Sequence, residues 1–317
     1  MNFMKYYFVI FLSLFSLLSA NENKKIVYIT PDINIPFWQI MAKGIHTQLN
    51  KSNYDFEILS SKNSAKDELE QTVEAIKNKV SGIIVSPTNS SACVTILKLA
   101  KVANIPVVIS DIGTDAGEYV SYVSSNNKAG AYDVGKVLTK KMKEKNFQDG
   151  KVGIIAIPQK RLNGQARTAG FMNALDEANI KGATIKQMSK WTDEESYNFI
   201  KDMILQYPDL KAIWVQTSNS YKAIIQAIND LNKQNEVLFV AFDAEPEFLE
   251  LIPKGEIIGS GMQQPYLMGS KAASTLVDHI NGKKVKKDIQ VPILTVSTED
   301  IKEKLPLIHL NVLGIEK

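Results

Sequence analysis

The chain has 317 residues, 44% of them hydrophobic and 22% charged, which is the balance of a folded globular protein and a length that suggests two domains or one large α/β unit. Its 37 basic and 34 acidic residues give a net charge of +3 and are interspersed along the sequence. A nucleic-acid surface needs a basic stripe or patch, so we expect no nucleic-acid partner.

The first predicted element is the apolar segment YYFVIFLSLFSLLSA, which follows Lys5 and ends in small residues just before the polar NENKK. This pattern is typical of a secretory signal peptide, and cleavage is predicted after Ala20. An uncleaved membrane anchor is the alternative, because the apolar core could nearly span a bilayer. The small residues that close the segment favour the signal peptide. We therefore predict that residues 1–20 are removed and that the mature protein is periplasmic.

After this segment, strand-like apolar runs alternate with amphipathic helical segments. In KDELEQTVEAIKN, the spacing of Leu69, Val73 and Ile76 indicates one face of a helix. Cys93, the lone cysteine, falls on the apolar face of another predicted helix, and we expect a buried thiol. The alternation predicts a parallel sheet with helices on both faces. The strand-like runs are KIVYIT (25–30), YDFEIL (54–59), SGIIVSP (81–87) and IPVVIS (105–110).

The same alternation restarts near residue 128, so the chain is predicted to form two Rossmann-like α/β lobes. The segment from residue 255 to residue 298 is predicted to return to the first lobe and back, and several such crossings would form a hinge. The second set of runs is KVGIIAIP (151–158), ATIKQMS (183–189), LKAIWVQT (210–217) and EVLFVAFD (236–243). The predicted lobes are residues 21–127 with 264–293, and residues 128–263 with 294–317.

Polar residues follow the carboxyl ends of the predicted strands in both lobes, which is where open α/β sheets bind their ligands. This arrangement predicts a cleft between the lobes that is lined with hydrogen-bonding side chains. The residues delivered there are Thr30, Asp32, Ser86, Thr88 and Asp111 in the first lobe, and Gln159, Arg161, Lys190, Trp191, Gln216 to Asn219, Asp243, Gln263 and Gln264 in the second.

The sequence has no zinc signature, nucleophile elbow, P-loop or glycine-rich dinucleotide fingerprint, and its three histidines are scattered. We therefore expect no cofactor, no metal and no catalytic residues, and a protein that is not an enzyme. The alternative is that Asp111 and Asp243 form a glycosidase-like carboxylate pair.

Four motifs give the chain a resemblance to a known family. They are ITPDINIPFWQIMAKGI, SGIIVSPTNSSACVTILKLAKVANIPVVISD, GQARTAGF and VAFDAEPEFLELIPKGEIIGSGMQQP. In this order and spacing they resemble the type I periplasmic solute-binding proteins, and most of all the sugar-binding branch of ribose-binding proteins. The resemblance spans essentially the whole predicted mature chain and implies two lobes joined by a hinge with several crossings.

The resemblance also implies a set of ligand-binding side chains. Aromatic rings would stack on the ligand, carboxylates would accept hydrogen bonds from its hydroxyls, and an arginine would donate to its oxygens. Because adjacent helical positions face different ways, we expect one of Phe37 and Trp38 at the cleft and the other partly in the core. The implied residues are Phe37, Trp38, Asp111, Arg167, Trp191, Asp243, Gln263, Asn34, Thr30, Thr217 and Asn219.

Two positions depart from the ribose-binding pattern. Ile112 stands where an arginine usually follows the aspartate, and Thr217 replaces an asparagine, with Asn219 nearby. A pentose or a pyranose hexose is the first expectation for the ligand, and a deoxy sugar, a furanose or a small diol remains an alternative.

The function implied by the resemblance is ligand capture by closure of the two lobes, followed by delivery to the membrane permease of an ABC importer. The alternative is a periplasmic adaptor whose closed form is read by a sensor histidine kinase. In either case the binding protein is expected to be a monomer.

Overall fold

A computed structural model describes residues 24–315, so the predicted signal peptide lies outside the described residues. The chain alternates between strands and helices, and a π-helical turn, Ile308–Val312, lies near the end of the described part. The strands are β1 (Lys25–Thr30), β2 (Asp55–Ser60), β3 (Gly82–Val85), β4 (Val107–Ser110), β5 (Ser121–Ser125), β6 (Lys151–Ala156), β7 (Lys181–Gln187), β8 (Leu210–Val215), β9 (Leu238–Phe242), β10 (Gly259–Met262), β11 (Asp288–Val291) and β12 (Leu294–Ser297). The helices are α1 (Pro36–Asn50), α2 (Ala65–Lys77), α3 (Ser90–Val102), α4 (Asn127–Glu144), α5 (Leu162–Glu177), α6 (Asp193–Gln206), α7 (Tyr221–Asp230), α8 (Phe248–Lys254), α9 (Pro265–Ile280) and α10 (Ile301–Leu307).

The strands form two separate six-stranded sheets. The first has the order β11-β5-β4-β3-β1-β2 with every pair parallel. The second has the order β12-β10-β9-β8-β6-β7, in which only the β10–β12 pair is antiparallel. The predicted α/β fold of two lobes is therefore confirmed.

The chain crosses between the sheets three times. It passes from β5 in the first sheet to α4 and β6 in the second, returns from β10 through α9 to β11, and crosses back to β12. Gln264 ties two of these crossings together, because its Nε2 donates to the carbonyl oxygen of Pro292 at 2.7 Å. The Nδ2 of Asn311 donates to the Oε1 of Gln264 at 2.8 Å, so the C-terminal segment braces the same region.

Local sequence explains where several helices begin. The side chain of Ser64 accepts the backbone N–H of Asp67 at the start of α2, and Asn89 accepts that of Ala92 at the start of α3. Such N-caps satisfy backbone donors that a helix leaves free. Cys93 is fully buried among the side chains between α3 and the first sheet, as predicted, and burial raises the pKa of its thiol to about 12.

The helix predicted for this segment is confirmed as α2, but its most buried residues are not those of the predicted apolar face. The residues that are fully enclosed are Glu68, Thr72 and Ala75, whereas Leu69 and Val73 are only half-buried. Apolar spacing alone pointed to the other stripe of the helix, because the burial of a carboxylate depends on partners in the tertiary structure. Among residues 24–315, no helix is both long and apolar enough to cross a membrane.

Candidate functional site

A cavity lies between the lobes, at the carboxyl ends of the strands of both sheets. It encloses about 490 Å³ of empty space, including its opening to solvent. Its walls combine aromatic and aliphatic side chains with charged and amide groups. The lining residues are Ile35, Phe37, Trp38, Asn63, Asp111, Ile157, Arg161, Asn163, Arg167, Trp191, Thr217, Asn219, Asp243 and Gln263.

Asp111 comes directly after β4 and has a left-handed backbone conformation with φ of 64°. Its carbonyl oxygen accepts a hydrogen bond from the hydroxyl of Tyr122 at 2.8 Å, which fixes the turn. Burial raises the pKa of its carboxyl group from 3.8 to about 6, although the positive charge of Arg167 opposes this shift. Its Oδ1 is buried and has no hydrogen-bond partner among the described residues, so this atom can accept a donor from a guest in the cavity.

Asp243 follows β9 in the second lobe, also with a left-handed backbone conformation. Its Oδ1 accepts a hydrogen bond from the Nε2 of Gln263 at 2.7 Å. Its Oδ2 lies 3.7 Å from the Nη1 of Arg167. Burial raises the pKa of this carboxyl group, while Arg167 and the hydrogen bond from Gln263 work in the opposite direction. Gln263 and Arg167 thus hold the carboxylate of Asp243 in place at the cavity wall.

Arg167 is buried on α5, one turn inside the helix. Its Nε donates to the Oδ1 of Asn127 at 2.8 Å, and its Nη1 donates to the carbonyl oxygen of Gln216 at 2.7 Å. The guanidinium group also lies 4.0 Å from the centre of the Phe242 ring, within range of a cation–π interaction. These contacts hold a positive charge rigidly against the cavity, where it can donate to oxygen atoms of a ligand.

Three aromatic rings lie at the cavity, two from the first lobe and one from the second. Phe37 and Trp38 both line it, with their ring centres 4.8 Å apart and their planes nearly perpendicular. The expectation that only one of them lies at the cleft is therefore wrong. Both are in the first turn of α1, whose N-terminal end points at the cavity, so adjacent positions can reach it. Trp38 also packs into the core of the first lobe.

Trp191 lies at the mouth of the cavity, on the loop before α6, with φ of 59°. The carboxylate of Glu195 holds this loop, since it accepts the backbone N–H groups of Ser189, Lys190 and Trp191 at 2.9–3.2 Å. The N–H of Glu195 in turn donates to the side chain of Thr192 at 3.1 Å. Thr192 therefore caps α6, while Glu195 fixes the residues before the cap, and these contacts explain how an exposed loop holds an indole ring in one position.

The two lobes contact each other across the cavity. The Nδ2 of Asn163 donates to the Oδ2 of Asp111 at 3.3 Å. The Nε of Arg161 donates to the carbonyl oxygen of Thr88 at 3.0 Å. Both donors lie at the start of α5 in the second lobe, and both acceptors belong to the first lobe. Burial lowers the pKa of Arg161 to about 10, and the nearby carboxylate of Asp111 opposes that shift.

The structure places nine of the eleven predicted site residues on the cavity wall. The other two lie elsewhere: Thr30 is fully enclosed at the end of β1, and Asn34 has an exposed side chain that donates to Asp32 at 3.0 Å. Neither residue therefore belongs to the site proposed below. The residues on the wall are Phe37, Trp38, Asp111, Arg167, Trp191, Thr217, Asn219, Asp243 and Gln263.

Two polar residues of the wall, Asn63 and Asn163, were not predicted from the sequence, and Arg161 was predicted at the cleft but not among the ligand-binding residues. Arg161 follows a strand end, and Asn163 lies four residues before Arg167, on the same side of α5, so a signal existed for both. Ile112, where the resemblance expects an arginine, is fully buried in the core of the first lobe rather than on the cavity wall. The aliphatic part of the wall comes from Ile35 and Ile157.

A family model described as "Periplasmic binding protein domain" matches residues 26–284. The ribose import binding protein RbsB of Escherichia coli (strain K12) is 25% identical over 280 residues, which cover 88% of this chain and 93% of that protein. A D-ribose/D-allose-binding protein of Pseudomonas aeruginosa is 26% identical over 254 residues, covering 76% of this chain and 77% of the relative.

Solved structures share the fold. A carbohydrate transporter solute-binding protein from Agrobacterium radiobacter, in complex with D-arabinose, superposes with a TM-score of 0.84 at 20% identity, covering 93% of this chain and all of the other. An ABC transporter solute-binding protein from Actinobacillus succinogenes with bound D-allose gives a TM-score of 0.80 at 21% identity, with 88% and 99% coverage.

Proposed function

This chain belongs to the family of periplasmic binding proteins, type I, and from that premise we propose that it binds a small neutral sugar between its lobes as the binding protein of an ABC importer. The observation that carries the proposal is the pair Asp111 and Asp243, which brings one carboxylate from each lobe to a single cavity. A guest that contacts both carboxylates is bound best when the lobes are together.

The chemistry of the wall fits a sugar. Carboxylates accept hydrogen bonds from hydroxyl groups, and the guanidinium of Arg167 donates to ring or hydroxyl oxygens. Phe37, Trp38 and Trp191 offer apolar faces to the C–H surface of a pyranose or furanose ring. Because Asp111 and Asp243 face Arg161 and Arg167 in the same cavity, the charges of the wall balance, and a neutral polyol suits it better than an ion.

The mode of action that we propose is closure. Residues from both lobes line the cavity, so a bound sugar contributes free energy to the closed form that it does not contribute to the open form. The three chain crossings between the sheets provide the hinge about which the lobes would move. The protein is proposed to bind without catalysing a reaction.

The relatives support the choice of partner, because several are named as import binding proteins and others as ribose- or allose-binding proteins. We therefore propose that the closed form docks on the permease of an ABC importer in the periplasm, after removal of residues 1–20. These names do not favour the alternative of an adaptor for a sensor kinase.

A thermal-shift screen of the purified protein tests the proposal. We expect one or more of D-ribose, D-allose, D-arabinose and myo-inositol to raise the unfolding temperature, because a ligand that binds the folded state stabilises it by mass action. Charged controls such as gluconate should give a smaller shift. If no sugar in a wider panel of pentoses, hexoses and deoxy sugars changes the unfolding temperature, the sugar-binding function is contradicted.

Two matched variants connect a shift to the cavity. Asp111→Asn removes one cavity carboxylate, whereas Asp55→Asn removes an exposed carboxylate at the start of β2. We expect the first to lose most of the sugar-induced shift and the second to keep it. Equal shifts in both variants would place the sugar outside this cavity.

A further inference from the structure

The start of α5 docks onto the first lobe through three consecutive residues, 161–163, which we name the clasp. All three contacts reach groups at the carboxyl ends of β3 and β4. They run from the Nε of Arg161 to the carbonyl oxygen of Thr88 at 3.0 Å, from the N–H of Leu162 to the Oγ of Ser90 at 3.4 Å, and from the Nδ2 of Asn163 to the Oδ2 of Asp111 at 3.3 Å.

Arg161 is the central residue of the clasp. Its side chain is buried, and it lines both the cavity and a larger groove outside the cavity, as do Asn63 and Trp191. Its guanidinium carbon lies 5.2 Å from the centre of the Trp191 ring, and its Nη2 lies 3.5 Å from the Oδ1 of Asn63. Arg161 is therefore part of the wall that separates the cavity from the groove.

The acceptor for Arg161 is fixed by a buried carboxylate of the first lobe. The two oxygens of Glu68 accept the backbone N–H of Thr88 at 2.7 Å and its hydroxyl at 3.1 Å. With its N–H and hydroxyl held in this way, Thr88 presents its carbonyl oxygen to the second lobe. Glu68 is fully enclosed, and its negative charge also attracts Arg161. Burial raises the pKa of Glu68 to about 7, and the positive charge of Arg161 opposes this change.

We propose that Arg161 is a positioning residue that latches the two lobes together before any sugar binds, and that Glu68 is the buried anchor of the latch. The inference rests on the lobe closure of the proposed function, but not on the identity of the ligand. Every contact of the clasp joins protein to protein, so it is available to the ligand-free molecule. A net hydrogen bond shifts an equilibrium by roughly 2- to 10-fold, so three of them give the ligand-free protein a closed population.

The latch also has a consequence for the cavity. With Arg161 in place, the indole of Trp191 is held against a charged plane at the mouth, and a guest inside is shielded from solvent. Arg161 thus acts on the ligand through Trp191 and through closure, in addition to its own place on the wall. Loss of the latch would increase the rate of ligand release more than it would change the rate of association.

Distance measurements between the lobes, in the absence of any ligand, test the proposal. Spin labels are attached to the full protein at Lys66→Cys and Glu194→Cys, two exposed positions at the mouth on opposite lobes. Cys93 is buried and stays unlabelled. Bound sugars are first removed by unfolding and refolding. We expect double electron–electron resonance to show a population with a short interlobe distance in the labelled protein that retains Arg161. Arg161→Ala should lose at least three quarters of that population.

The matched control is Lys160→Ala, which removes the same charge from the neighbouring exposed residue and should retain the short distance. Arg161→Lys keeps the positive charge without the planar guanidinium and should retain part of the population at short distance. Glu68→Gln keeps the size of the anchor without its charge and should also reduce that population. Far-UV circular dichroism identifies any variant that fails to fold, and the remaining variants then decide the test.

Two results would overturn the latch: an unmodified protein that is entirely open without ligand, or Arg161 variants whose distance distributions match that of Lys160→Ala. Neither result depends on whether a sugar binds. If the latch is present and the sugar screen is negative, the proposed function fails while the latch stands. If sugars bind and the short distance does not respond to Arg161, only the latch fails.

Discussion

Asp111 and Asp243 occupy equivalent positions in the two lobes. Each follows the strand that lies third from the same end of its sheet, and their φ angles are 64° and 66°. The carbonyl oxygen of each accepts a hydroxyl from the neighbouring strand, from Tyr122 at 2.8 Å and from Ser260 at 2.6 Å. Left-handed backbone is unusual for a residue other than glycine, although aspartate tolerates it better than most. Each lobe therefore has the same kind of turn at this position, and the two turns bring two carboxylates to one cavity.

The first prediction concerns the pH dependence of stability. Burial raises the pKa of Asp111 from 3.8 to about 6, so between about pH 4 and 6 the folded protein binds more protons than the unfolded chain. The free energy of unfolding then falls as the pH rises through this window. This difference in pKa corresponds to about 3 kcal/mol. Asp111→Asn should remove this loss and stabilise the ligand-free protein by up to about 3 kcal/mol at pH 7.5, with little effect at pH 4.

Urea denaturation of both proteins at these two pH values measures the difference. Asn is a suitable replacement because it also tolerates a left-handed backbone. Asp55→Asn, at an exposed position, serves as the control and should change stability little at either pH. A gain that is the same at pH 4 and pH 7.5, or a loss at pH 7.5, would contradict the assignment of the raised pKa to Asp111.

The second prediction concerns Arg167. Lysine keeps the positive charge, but it has no planar fork with which to reach both Asn127 and the carbonyl oxygen of Gln216. Arg167→Lys should therefore leave one buried acceptor unsatisfied and cost about 1–3 kcal/mol of stability. Arg167→Met also leaves the carboxylate of Asp243 without its positive neighbour and should cost more, about 3–5 kcal/mol.

Urea denaturation near neutral pH ranks the two variants. Lys151→Met breaks an ion pair with Asp209 at 2.9 Å on the surface of the second lobe and is the control, expected to cost less than about 1 kcal/mol. If Arg167→Met is no less stable than Lys151→Met, the buried contacts of Arg167 do not stabilise the fold as described.

Much of the fold could be predicted from the sequence because its strands are continuous apolar runs. KIVYIT coincides with β1, and a buried parallel strand needs no alternation of polar residues. β5 was not predicted, since three of the five residues in SYVSS are serine and its pairing is made by backbone groups. The burial of Glu68 was not predicted either, because its partner, Thr88, lies 20 positions away in the sequence.

Some residues of the candidate site could likewise be predicted from the sequence, and others could not. Asp111, Trp191 and Asp243 follow strands, and the topology of an α/β sheet sends strand ends to the ligand side. Asn163 could not be selected with the same argument, because its role depends on how closely the second lobe approaches the first. Asn34 does not belong to the wall for a local reason: its backbone N–H and its Nδ2 both donate to the Oδ1 of Asp32, which holds its side chain toward solvent. Contacts between separately folded lobes are the part of the structure that sequence patterns describe least.

The third prediction concerns Trp191 and its support. Trp191→Ala should weaken binding of the sugar found in the screen by up to about 3 kcal/mol, the worth of burying a large apolar side chain. Trp191→Phe should retain most of the affinity. Glu195→Ala should produce a smaller loss, because it frees the loop that positions the indole without removing the ring. Isothermal titration calorimetry measures all three affinities.

Fluorescence provides an independent measurement. The chain has three tryptophans: Trp214 is fully buried in the second lobe, whereas Trp38 and Trp191 line the cavity. The spectral change on sugar binding should shrink in Trp191→Phe. A change that is undiminished in that variant, with unchanged affinity in Trp191→Ala, would remove Trp191 from the site.

The fourth prediction concerns the packing that positions α5. An added Cβ at Gly170 would lie 2.0 Å from the carbonyl oxygen of Lys128 on α4, so Gly170→Ala must push the two helices apart. Overpacking of this kind costs about 1–3 kcal/mol or more. The control is Gly182→Ala in β7, where the nearest atom lies 4.0 Å away, and its effect should stay within about 0.5 kcal/mol.

Gly170→Ala should affect function as well as stability, because the helix that it displaces carries both Arg167 and the clasp. We expect the variant, assayed below its unfolding temperature, to bind the sugar more weakly than Gly182→Ala and to show a smaller closed population in the spin-label experiment. Thermal unfolding, calorimetry and interlobe distances should then change together. A variant that is destabilised but binds normally would show that α5 can shift without displacing the groups that it brings to the cavity, and the contact of Gly170 with Lys128 would be a matter of stability alone.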